Sequence, residues 1–245
     1  MSKTITACNT AQCQSLYQNY KSAALRGHPE AMSTLGQFYE HGYGVEQNKD
    51  KALRYYKKAV KDGSISASFK AGLMYITQSP IRDIDKGIYY LTKAARKGYQ
   101  QADFILAIAY LSDSFGMQDL KKADQYLAKA YQHQHPDMPN VIDMIKAKPS
   151  LSLDQFPRLD KLVNKTPLIT DQNGNLSWPS DNMETITITA PPLEVRLTEN
   201  LLTYRGRETS LGSRLPTTQC TKRPGCYQTN SVDSVLSDFP FILGM

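Results

Sequence analysis

No stretch of this 245-residue chain approaches the ~20 consecutive apolar residues that a transmembrane helix needs. The longest apolar runs, such as Phe104 to Leu111, have the length of buried helix turns. Catalytic signatures are missing too. There is no Gly-x-Ser-x-Gly, no phosphate-binding loop and no His-Glu-x-x-His, so nothing positive points to an enzyme. The paired acids Asp83 and Asp85 stand where helix caps explain them. Cysteine is scarce: Cys8 and Cys13 lie at one end, Cys220 and Cys226 at the other. Those spacings are wider than the two-to-four-residue pairs of zinc modules, and His133, His135 and Asp137 close a helix rather than a metal site. No metal and no cofactor are expected. Met1 to Ala7 lacks the apolar core of a secretory signal, although Ile5-Thr6-Ala7-Cys8 resembles the end of a lipoprotein signal. This leaves two locations open: a cytoplasmic chain with free thiols, or a periplasmic or cell-envelope chain whose signal lies upstream. In the second case Cys220 and Cys226 would close a small loop around Pro224-Gly225 as a disulfide.

Charge is modest and uneven. Residues 1–146 hold 19 Lys and Arg against 13 Asp and Glu, which is the whole net charge of +6; the remaining residues hold 10 against 10. Such an excess attracts anionic surfaces weakly and says nothing about fold. A nucleic-acid binder carries a denser basic stripe within a recognisable module, so no nucleic-acid partner is expected. Lys51, Arg54, Lys57, Lys58 and Lys61, with Lys93, Arg96 and Lys97, form a basic ridge read as a solvated outer face, and contact with a membrane surface is not expected of it.

What the chain does have is an internal period. Gly27, Gly63 and Gly98 are 36 and 35 residues apart. Ala23, Ala59, Ala94 and Ala130 keep the same steps, as do Tyr20, Tyr56, Leu91 and Leu127. Further columns are Ala31, Ala67, Ala102; Gly36, Gly72, Ala107; and Tyr39, Tyr75, Tyr110. Each unit reads as two helices. In residues 31–62 the apolar positions Ala31, Leu35, Phe38 and Tyr39 share one helical face. Gly42-Tyr43-Gly44 breaks the first helix, and Asn48 or Asp50 can cap the second. Gly63 ends that helix where positive φ is wanted. Gly36, Tyr39, Ala59, Gly72, Tyr75, Ala94, Tyr110 and Ala130 are therefore assigned to packing between helices. One hairpin cannot bury its apolar face alone, so units stack into an array. Three full pairs are predicted near 30–62, 66–97 and 101–133, with a leading helix at about 11–26.

The run Ala31-x3-Leu35-Gly36-x2-Tyr39-x2-Gly42-x-Gly44-Val45, followed by Lys51-Ala52-x2-Tyr55-Tyr56-x-Lys58-Ala59-x3-Gly63, resembles the Sel1-like repeat (SLR), a relative of the tetratricopeptide repeats. Unit two replaces the Gly-x-Gly loop with Thr77-Gln78-Ser79-Pro80 and has Gly87 for Ala52; unit three keeps Gly116 and has Ala107 for the glycine. The resemblance covers about residues 11–135. It implies a right-handed α/α solenoid acting as an adaptor that binds another protein or peptide. By analogy with solenoids, the concave face carries the binding residues, here Gln37, Glu40, His41, Lys70, Met74, Asp103 and Ile108. Narrower versions are an immunity protein that neutralises a secreted toxin, and a cell-envelope component anchored by its tail.

The whole chain is thus expected to be mainly α. Residues 1–146 form the solenoid with its capping helices, 147–182 a linker with a short helix, and 183–245 an extended or β tail, partly disordered. Glu184 to Ala190 and Leu193 to Thr198 alternate in the manner of strands. Pro149 and Pro157 interrupt the short helices expected over 138–164.

Overall fold

The computed structural model describes residues 5–170, 176–179 and 191–205. The expected strand at Glu184–Ala190, the Cys220–Cys226 pair and everything past Arg205 lie outside those residues. Within them the chain is a mainly α solenoid of paired helices followed by a small β-hairpin and a final helix. The elements are α1 (Ala11–Leu25), α2 (Pro29–His41), α3 (Lys49–Lys61), α4 (Ile65–Thr77), α5 (Ile84–Ala95), α6 (Gln100–Leu111), α7 (Leu120–Gln132), α8 (Met138–Ala147), α9 (Pro157–Lys165), β1 (Ile169–Thr170), β2 (Leu176–Ser177) and α10 (Leu193–Arg205). None of the described helices is long and apolar enough to cross a membrane.

The three pairs are α2–α3, α4–α5 and α6–α7, and each second helix also packs on the next first helix. The repeated sequence columns account for this. Asn48, Asp83 and Asp119 occupy one register position, and each cap accepts the amide of the residue three further on, at 2.8, 3.0 and 3.0 Å. Gly63 ends α3's turn at φ +96°, left-handed backbone that glycine adopts without steric cost. Ala59, Ala94 and Ala130 are buried between helices. Gly36 acts through close approach instead. A Cβ there would lie 2.6 Å from the Tyr56 ring, so the missing side chain lets α2 and α3 close on each other.

The sequence expectation fails at two places, for identifiable reasons. Leu193–Thr198 is the start of helix α10, not a strand, and so the tail is not wholly extended. Leu193, Val195 and Leu197 fit a period of two, but Leu193, Leu197, Leu201 and Tyr204 also fit a helical face, and that face finds a surface to cover on α1. Pro157 does not interrupt a helix. It is the first residue of α9, where its missing N–H costs nothing.

Residues 147–182, read from sequence as a linker with a short helix, include α9 and are packed where they are described. Phe156 and Leu159 are fully buried in the same core as α6 and α7, and Trp178 packs at its edge. Burial of each large apolar side chain contributes roughly 1.5–3 kcal/mol. The amides of Arg158 and Leu159, at the start of α9, donate to the buried carboxylate of Asp124 on α7 at 3.1 and 3.0 Å. At the other end Cys8 and Cys13 form a disulfide. Cys8 also pairs through its backbone with Gly42 and Gly44, which fastens the entering chain to the loop after α2.

Candidate functional site

The first helices α2 and α4 also meet each other, helped by the Ser33 and Ser66 hydroxyls at 3.1 Å. Beside this contact both helices carry residues that stay outside the core. In register these are Thr34 and Lys70, Gln37 and Leu73, and His41 and Thr77, all at least partly exposed. The third unit does not extend this open surface, because every residue from Gln101 to Leu111 is buried.

Glu40 is the fixed point of this surface. Its carboxylate accepts the Tyr56 hydroxyl at 2.6 Å and the Gln78 side-chain amide at 3.0 Å. Its backbone carbonyl accepts the Gln47 side chain at 2.7 Å, and the His41 imidazole lies 3.9 Å away. Burial, and then the neighbouring Glu40 carboxylate, hold the Tyr56 phenol well above its ordinary pKa, so it stays a donor. Units two and three have Ile76 with Leu91 and Leu111 with Leu127 at the same two register positions. Glu40 with Tyr56 is thus a matched polar replacement of an apolar pair.

The residues assigned to the concave face from sequence fall into two groups. Gln37, Glu40, His41 and Lys70 are partly exposed on α2 and α4. Met74 and Ile108 are 1% and 4% exposed and lie in the core, so neither offers a surface. Met74 shares the register of Phe38, whose ring packs on Tyr20. Asp103 is also buried, and faces Lys129 on α7 at 3.4 Å. Burial raises its carboxyl, and the Lys129 ammonium opposes that shift. Met74, Asp103 and Ile108 are accordingly withdrawn from the site.

Sequence reasoning missed a ladder on the edge where the first helices end and the second begin. Tyr39 stacks on Tyr55, Tyr75 on Tyr90 and Tyr110 on Tyr126, with centroids 5.5, 5.8 and 6.0 Å apart and planes within 10°. Lys51, Lys86 and Lys122 stand over the first ring of each pair at 5.5, 5.8 and 4.9 Å. The signal was available, since Lys51, Lys86 and Lys122 keep the 35- and 36-residue steps. Asp83 and Asp119 pair with two of these lysines, so the ladder is largely neutralised and binds the two helices of each unit together. The residues of the basic ridge, on α3 and at the end of α5, are exposed.

Near the far end, the His135 ring stacks on Phe104 with centroids 3.9 Å apart, and its Nδ1 accepts the Asp137 amide at 3.3 Å. Burial pushes its pKa down to about 4. Among the described residues there is no group of three or more His, Cys, Asp or Glu placed to hold a metal ion.

Residues 29–64 and 65–99 each match the Sel1 repeat family. A sel1-like repeat-containing protein of Acanthamoeba polyphaga mimivirus is 32% identical over 81 residues, covering 33% of this chain and 15% of that protein. The Sel1 repeat protein from Oxalobacter formigenes has a TM-score of 0.51 at 23% identity, over 62% of this chain and 64% of that one. A protective antigen of uropathogenic Escherichia coli displaying an SLR fold also has a TM-score of 0.51, at 16% identity, over 63% of this chain and 33% of its own. The chain therefore spans about a seventh of the curated relative's length and less than two thirds of either structure.

Proposed function

We propose, from the SLR fold of this tetratricopeptide-like solenoid, that the chain is an adaptor holding a segment of another protein against the inner surface of α2 and α4. Sel1-type repeats form a non-catalytic scaffold, a fold generally associated with protein–protein interaction. The observation that carries the finer reading is Glu40, whose carboxylate, turned toward α3, is held by Tyr56 and Gln78 and so fixes the end of α2 before any partner arrives. Groups ordered in advance lose less entropy on binding. Beside Glu40, the Gln37 carboxamide can both donate to and accept from a peptide backbone. Lys70 supplies a cation for a partner carboxylate, and Leu73 adds an apolar contact between them. The partner is thus a peptide segment with a free backbone edge and an acidic side chain, laid across the first two units.

The test is a photo-crosslinking residue placed one at a time at Gln37, Lys70 and Leu73, and as controls at Lys57 and Lys93. The proposal predicts that the three inner positions capture one common protein and the outer pair does not. Capture from the outer pair alone would place the interface elsewhere.

The Cys8–Cys13 disulfide supports a second statement, that the adaptor works in an oxidising compartment. Trapping thiols in native cells with an alkylating agent before lysis tests it. Cys8 and Cys13 should resist modification until a reductant is added, and immediate alkylation of both would contradict it.

A further inference from the structure

The flank of α1 that faces away from α2 is covered by a helix from the other end of the chain. In register α1 is a second helix: Tyr20 stands with Tyr56, Leu91 and Leu127, and Ala23 with Ala59, Ala94 and Ala130. Each of α3 and α5 lies between two first helices. α1 has α2 on one side, and on the other the place of a first helix is held by α10. The replacement is chemical as well as spatial. Tyr56 is buried and gives its hydroxyl to Glu40 of the neighbouring first helix; Tyr20 is buried and gives its hydroxyl to the Leu197 carbonyl of α10 at 3.0 Å. Tyr204, at the end of α10, stacks on His28 and meets the Tyr20 ring edge-on.

Yet α10 fits this place loosely. A cleft of about 280 Å³ remains between α1 and α10, lined by Gln12, Ser15, Leu16, Leu201 and Leu202 among others. Leu202 is 56% exposed and Val195 43%, so part of the helix's apolar surface is left uncovered. At the corresponding place in the first repeat, Gly36 brings α2 directly against the Tyr56 ring of α3.

We propose that this flank of α1 is a helix-binding site that the chain fills with its own α10, and that the same helix supplied by a second copy takes the site when α10 is withdrawn. The recognised ligand is an amphipathic helix presenting leucines four residues apart and a tyrosine three residues beyond, the spacing of Leu193, Leu197, Leu201 and Tyr204. This site lies on the end of the array and is independent of the inner surface of α2 and α4. A reciprocal exchange of α10 between copies would give a swapped dimer.

The probe is a fluorescent synthetic peptide of residues 191–205, titrated against the full chain and against Leu197→Asp, which puts a carboxylate on the buried face of α10. The variant should bind the peptide at least about tenfold more tightly than the unaltered chain, because its site is open. A second measurement needs no variant: hydrogen exchange of the Leu197 and Leu201 amides in the unaltered full chain, with and without excess unlabelled peptide. Displacement should speed that exchange at least about twofold. If the variant does not fold, the exchange measurement decides alone. A folded variant that ignores the peptide, or an exchange rate that the peptide leaves unchanged, overturns the proposal.

Discussion

The Tyr20 hydroxyl donates to the backbone carbonyl of Leu197 at 3.0 Å, joining residues 177 positions apart. It ties the last described helix to the first, at one end of the array. Tyr20→Phe removes the bond and keeps the ring. The Leu197 carbonyl lies inside α10 and keeps its helical donor, so the variant should lose the net worth of one hydrogen bond, about 0.5–1.5 kcal/mol, in urea denaturation. Loss below a few tenths would show that α10 is held by apolar contact alone.

Gly36 is predicted to be replaceable only together with Tyr56. Gly36→Ala should destabilise by about 1–3 kcal/mol, since the new methyl group meets the Tyr56 ring. Unit three shows the compatible combination, Ala107 with Leu127. Tyr56→Leu costs stability of its own by taking the donor from Glu40, but in that background Gly36→Ala should cost less, which a double-mutant cycle measures as a coupling of the two sites. Simple additivity would contradict the proposed contact.

Gln134 is the non-glycine residue with positive φ among those described, at +49°, and it stands 36 residues after Gly98 in the glycine column. The backbone has kept the turn while the sequence has lost the residue suited to it. Gln134→Gly should stabilise the protein by about 0.5–1 kcal/mol, a rise of roughly 1–4 °C in Tm. An unchanged or lowered Tm would show that the turn carries no such cost.

His135 should make stability depend on acid. Burial lowers its pKa from 6.5 to about 4, so the folded state favours the neutral ring. That contribution is complete above about pH 6.5 and is lost as pH falls toward 4. Asp137, with a carboxylate oxygen 3.7 Å from Nδ1, acts in the opposite sense: burial raises its carboxyl, and protonation relieves that cost as pH falls. Denaturation midpoints between pH 7 and 4 should fall less steeply for His135→Gln than for the unaltered chain. Equal slopes would assign the acid sensitivity to other groups.

The array itself was legible because its columns recur: capping residues, small residues and aromatics at 35- and 36-residue steps leave one packing solution. What escaped was whatever breaks the repeat. Asp124 stands where units one and two have Leu53 and Ile88. A buried acid among leucines announces a partner that sequence cannot identify, and that partner is the start of α9. Met74 and Ile108 were misplaced because an apolar residue at helical spacing fits core and groove equally, and only neighbouring helices separate the two. Leu193–Thr198 fitted both periods over six residues. Its helical form is decided by α1, more than 160 residues away.

The most direct measurement is calorimetric titration with the partner segment identified by crosslinking, comparing Gln37→Asp with Lys70→Glu on the inner surface against Lys57→Glu with Lys93→Glu on the outer one. An adaptor that reads its partner on α2 and α4 loses at least about tenfold in affinity, roughly 1.4 kcal/mol, with the inner pair and less than about threefold with the outer pair. The reverse order would contradict it.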